Sequence, residues 1–157
     1  MAASLGRGFL RAGFTVRLAT ADTAARPVTE DVMLEALAAV GPSRVRGTAD
    51  VLRGLRAGAL ADTTLAMVTA PPASGDVATM IRAGLAFGRK VAVLVHPIAP
   101  ASVSTERREE LLNRASSATA SLQRAGWEVF VLAPEGRLAD LWHRQRTRKL
   151  TPAGSSS

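Results

Sequence analysis

Along the chain the spacing of apolar residues alternates between a helical period and a strand period, and that alternation predicts the elements. Residues 2–12 place Leu5 and Phe9 on one helical face, and Gly13 supplies a stop. Residues 14–20 then alternate Phe14, Val16 and Leu18 with Thr15, Arg17 and Ala19, the period of a strand. Residues 22–27 read as a polar turn. Thr29 can cap a helix with Met33, Leu37 and Val40 on one face, ended by Gly41-Pro42. Thr48 is a second cap, for a short helix burying Val51, Leu52 and Leu55.

From residue 64 onward the order becomes regular. Residues 64–70 form a strand closed by Pro71-Pro72, and Ser74 caps a helix with Val77, Met80, Ile81, Gly84 and Leu85 facing inward. Gly84 reads as a close-packing point in that stripe. Residues 90–95 run Lys-Val-Ala-Val-Leu-Val with no polar interruption after the lysine, the pattern of a strand covered on both faces. The longest helix is expected from about 105 to 125, with Leu111, Ala115, Ala118, Leu122 and Ala125 on one side and Gly126 as a left-handed stop. A strand over 128–133 and a last helix bearing Leu138, Leu141 and Trp142 complete the series, with Trp142 packed on the body. Short connections and this order predict an α/β fold with three layers, a mainly parallel sheet and right-handed crossovers. Residues 1–146 are expected to form one domain, and 147–157 a disordered tail.

Composition changes this picture little. The 157 residues contain no cysteine, which excludes disulfides and thiol chemistry, and only four Phe, two Trp and no Tyr. The core must therefore be made largely of Ala, Val and Leu. No apolar run reaches the roughly 20 residues that cross a bilayer, and a cytoplasmic location is the expectation. The formal charge of +7 falls to +3 when the four positive charges of Arg144, Arg146, Arg148 and Lys149 are set aside. A weak nucleic-acid contact through the helix carrying Arg137 and those residues is one alternative reading, and it would be strongly salt-dependent.

Candidate chemistry is sparse. Ligands of open α/β sheets gather beyond the carboxyl ends of the strands, where the chain places Thr20-Ala21-Asp22, Thr69-Ala70-Pro71, His96-Pro97 and Pro134-Glu135. His96 has a side chain that titrates near neutrality but no identifiable orienting carboxylate, and His143 lies among basic residues. Glu106, Glu109 and Glu110 interleave with Arg107 and Arg108 as a charged helix face. No dinucleotide, phosphate-loop or nucleophile-elbow motif is present. The expectation is no catalytic residue, no metal ligand and no cofactor. A small nucleotide-binding protein or enzyme of flavodoxin-like architecture, using His96, Asp22 or Thr69, is the second alternative.

The order of the segments resembles a known family. Ala2-Ala3-Ser4-Leu5, the stretch Ala12-Gly13-Phe14-Thr15-Val16-Arg17-Leu18 and Leu34-Glu35-Ala36-Leu37-Ala38 are similar to bacterial von Willebrand factor A-like proteins of domain of unknown function 58. Leu65-Ala66-Met67-Val68-Thr69, Arg124-Ala125-Gly126-Trp127-Glu128-Val129 and Leu138-Ala139-Asp140-Leu141-Trp142 resemble its later pieces. The resemblance implies a Rossmann-like sheet and a scaffolding or protein-interaction role, with a MoxR-type AAA+ ATPase as a partner. It also implies a metal site that this chain lacks. Thr48 after Gly47 resembles the threonine loop, but the Asp-x-Ser-x-Ser motif is absent and Ala70-Pro71 stands where a later Asp is expected. One hydroxyl without carboxylates does not hold a hard cation. The chain would then be a domain without its first strand, and residues 16–20 are expected to pair in parallel with residues 64–70 across the gap.

Overall fold

The computed structural model of the chain describes residues 2–41, 48–57, 59, 62–95 and 104–132. The fold is mixed α/β, with one antiparallel two-stranded sheet and one parallel three-stranded sheet.

The first part comprises α1 (Ala2–Arg11), β1 (Val16–Leu18), β2 (Arg26–Val28) and α2 (Glu30–Ala38). Gly13, at φ +83°, ends α1. Its N–H donates to the Leu10 carbonyl, and the Phe14 N–H donates to the Phe9 carbonyl, both at 3.0 Å. That pair of bonds is a Schellman motif, and the apolar contact that accompanies it is the Phe9–Phe14 edge-on ring pair, with centroids 6.0 Å apart. β1 and β2 run antiparallel with Val16 opposite Val28 and Leu18 opposite Arg26. An ion pair between Arg7 and Glu30 joins α1 to α2, and Met33 is buried against Gly6.

The second part comprises α3 (Thr48–Arg56), β3 (Thr64–Thr69), α4 (Ser74–Gly84), β4 (Arg89–Val95), α5 (Thr105–Arg124) and β5 (Glu128–Leu132). The three strands lie in the order β3-β4-β5, all parallel. One face of this sheet is the main core. There Leu65, Ala92, Leu94 and Val129 pack with Leu52 of α3, Val77, Met80 and Ala83 of α4, and Ala118 and Leu122 of α5. α4 and α5 contribute to the same core cluster and so lie on the same side of the sheet, the arrangement that two successive crossovers of one hand produce. The opposite face carries Val91, Val93 and Phe130, with Ala66 and Val95 against them.

The interior strand predicted at 90–95 is β4, with Val91, Ala92, Val93 and Leu94 all buried. The stripe of α5 is also as expected, with Ala115, Ala118 and Leu122 buried. Gly126, at φ +80°, closes α5 with a second Schellman motif, its N–H on Gln123 and that of Trp127 on Leu122.

Several expectations are corrected. β1 does not pair with β3: it pairs antiparallel with β2, in a separate sheet. Residues 26–28 are a strand, where the turn expected over 22–27 takes in Arg26 and Pro27. Only Val28 of the three is buried, so the period-two signal had a single apolar residue to show itself. Val40 lies beyond the end of α2 and Leu85 beyond the end of α4, and both are exposed, Leu85 at 79%. The helical period stops where the helix stops. Ser74 is the first residue of α4 and Ala73 occupies the cap position, with no side-chain bond. Thr29 sits at the cap of α2, again without such a bond. Ser104, not foreseen, caps α5 by accepting the Arg107 N–H at 3.4 Å. Among the described residues, helices pack on one face of the parallel sheet; the third expected layer is not among them. The strand residue Ala133, the last helix with Trp142 and the tail lie outside the described residues.

Candidate functional site

The described residues divide the strand-end candidates between two places. Thr20 and Asp22 line a shallow cleft of about 350 Å³ with Thr23, Arg26, Glu35, Val32 and Val40. The loop there is knotted by its own groups. The Thr20 hydroxyl oxygen accepts the N–H of Asp22 at 3.3 Å and of Thr23 at 3.0 Å, and the Thr20 N–H donates to the Thr23 carbonyl at 3.1 Å. The hydroxyl of Thr20 is therefore used in holding the turn. Thr69 is half-buried at the end of β3 and does not line this cleft. Thr48 opens α3. His96, His143, Glu135 and the basic residues Arg137, Arg144, Arg146, Arg148 and Lys149 lie outside the described residues. No group of three His, Cys, Asp or Glu comes together among the described residues.

The acidic start of α5 is a charged face, as its spacing suggests. Glu110 accepts from Arg107 and from Arg114, both at 2.6 Å. The Arg107 hydrogen bond and charge, with a smaller contribution from Arg114, hold the Glu110 carboxyl below its ordinary range. These are exposed i,i+3 and i,i+4 pairs that support the helix.

A different kind of site lies along β3. It is an outer strand of its sheet, and among the described residues its far side has no strand partner. The carbonyl of Thr63 faces β4, where it accepts the N–H of Gly88 at 3.2 Å and of Arg89 at 3.5 Å. Backbone groups of successive strand residues point alternately to either side. Leu65, Met67 and Thr69 consequently serve the β4 ladder, and Thr64, Ala66 and Val68 direct their N–H and C=O groups to the open side. Val68 is also one of the exposed large apolar residues, at 37%.

Proteins blunt exposed strand edges with charge, proline or bulges. The other strands here carry such residues: Arg17 in β1, Arg26 and Pro27 in β2, and Glu128 in β5, which pairs with Arg89 of β4 at 3.0 Å. β3, Thr-Leu-Ala-Met-Val-Thr, has none of them. The composition of residues 64–70 was visible from the start. That they form an edge was not, because edge position comes from strand order.

No helix among the described residues is long and apolar enough to cross a membrane. None of the family models, curated proteins or solved structures compared with the chain matches it.

Proposed function

We propose that this is a non-enzymatic protein-interaction domain whose binding surface is the open edge of β3. One observation carries the reading: of the four strands with an unpaired edge among the described residues, β1, β2, β3 and β5, β3 alone carries neither a charge nor a proline. Three outward N–H and C=O pairs form a template for an added strand. Main-chain bonds along such an edge give affinity, and alternate side chains give specificity. The resemblance to von Willebrand factor A-like scaffolds points the same way, and a MoxR-type AAA+ ATPase is one partner it suggests. In the Thr20–Asp22 cleft the Thr20 hydroxyl is engaged by the backbone N–H groups of Asp22 and Thr23 in its own turn.

The test is selection of extended peptides on the full chain, followed by the variant Val68→Lys. The substitution sets a charge on the exposed edge position and leaves the β4 ladder untouched. Selected peptides should bind the wild-type chain and lose at least about tenfold in affinity on the variant. Peptides that bind both equally, or selection of none, would defeat the reading. So would dose-dependent thermal stabilisation by a nucleotide or by Mg²⁺ alone, since a ligand preferring the native state raises its apparent stability.

A further inference from the structure

We infer that the cleft face of α2 is a contact surface between two copies of this chain, in which Arg26 of each copy meets Glu35 of the other. The surface is built from residues between 20 and 40 and is separate from the β3 edge. α2 is apolar on two sides. Met33 faces α1, where it is buried against Gly6. Val32 and Ala36 of α2, with Ala39 and Val40 just past its end, line the cleft. The Ala39 and Val40 N–H groups still donate to the Glu35 and Leu37 carbonyls, at 3.1 and 3.4 Å, so one face with the spacing i, i+4, i+7, i+8 carries through them. A surface helix normally turns polar residues to the side away from its core. Here that side is apolar and open to water, with Val32 37% and Val40 48% exposed.

Arg26 of β2 and Glu35 of α2 border this apolar floor. Both are exposed, and neither forms an ion pair with a described residue, whereas Arg7 and Glu30 of the same part pair with each other. Pockets for small molecules enclose most of the occupant's surface, roughly 70–90%. A cleft whose Arg26, Glu35, Val32 and Val40 all stand exposed does not. The face of a second protein covers it from above. One free charge of each sign on the rim makes this face complementary to itself. In a twofold interface a contact from one residue to another is repeated in reverse, so a single Arg26–Glu35 match supplies two ion pairs. A partner carrying one sign of charge would satisfy one of these residues and repel the other. The patch is small beside the roughly 20–30 residues a side of a standard interface, so association is weak, with a Kd on the order of 0.1 mM.

The test is sedimentation equilibrium of the full chain from about 0.01 to 1 mM, comparing wild type with Arg26→Glu, Glu35→Arg and the two reversals combined. Wild type should pass from monomer to dimer in that range. Each single reversal should weaken association at least about tenfold, since it sets like charges against each other at both repeats of the contact. The combined reversal should return it to within about threefold of wild type. Val32→Glu should weaken association as well, whereas Leu112→Glu, at an exposed apolar position of α5, should not. In the isotope-labelled wild-type chain the methyl signals of Val32 and Val40 should move with concentration while those of Val68 hold still. A chain that stays monomeric at about 1 mM overturns the inference. So does a dimer that the single reversals leave intact, one that the combined reversal fails to restore, or one abolished by Val68→Lys, which would put the contact on β3.

Discussion

Gly84 lets the indole of Trp127 lie directly on the backbone of α4: a β-carbon there would stand 2.7 Å from Cζ2 and 3.0 Å from Cε2 of that ring. Trp127 is buried in the main core and follows the Gly126 turn, so the contact fixes the end of α5 and the start of β5 against α4.

Gly84→Ala should accordingly destabilise the chain by about 1–3 kcal/mol, the usual cost of overpacking, despite alanine's better helix propensity. Gly54, in the middle of α3, has nothing within 4 Å of the equivalent position. Gly54→Ala should stabilise by about 0.5–1 kcal/mol. Urea unfolding of the two variants gives opposite signs if the packing is as described; the same sign would contradict it.

The buried and exposed leucines should part just as clearly. Leu94 is fully buried in β4, whereas Leu85 projects into solvent beyond α4. Leu94→Ala should cost about 2–5 kcal/mol, and Leu85→Ala should stay within about 0.5 kcal/mol of wild type. A large loss at Leu85 would mean that its side chain is covered in solution.

The contrast between these two leucines shows what was legible in the sequence. β4 could be read because both of its faces are apolar, so no register had to be known. α5 could be read because its stripe holds for four turns between Ser104 and Gly126. Leu85 misled because it continues the spacing of Val77 and Ile81 one step past the point where the backbone leaves the helix. β2 was missed because Pro27 and Arg26 face solvent and a three-residue strand leaves only Val28 to mark it. The edge at Thr64, Ala66 and Val68 was invisible for another reason. Strand order is a long-range property, and an uncharged strand looks alike at the centre and at the margin of a sheet.

Glu110 gives a pH prediction. Its carboxyl is held below the ordinary glutamate range, first by the hydrogen bond and charge of Arg107 and then by Arg114. A group with a lowered folded-state pKa binds fewer protons in the folded chain than in the unfolded one. Its contribution is therefore full above the unfolded value and is lost as pH falls through the lowered one. The pair is fully exposed and the effect on stability is small. Carboxyl-detected titration should find Glu110 below the ordinary glutamate range, and Arg107→Gln should move it upward. No movement on that substitution would show that the pair does not form in solution.

Gly126 adopts φ +80°, where an L-residue is disfavoured by about 1–2 kcal/mol. Gly126→Ala should destabilise by about that amount and loosen the Trp127 turn. Chemical denaturation measures the first, and indole fluorescence the second. Wild-type stability in this variant would contradict the left-handed closure of α5.

The open edge of β3 is tested most directly by residue-resolved amide hydrogen exchange on the free chain. Leu65, Met67 and Thr69, bonded into the β4 ladder, should exchange slowly, and Thr64, Ala66 and Val68, facing the open side, should exchange much faster. Alternating protection along β3 is the predicted result. Uniformly slow exchange across all six residues would mean that the edge is already paired, and would contradict the proposed interaction surface.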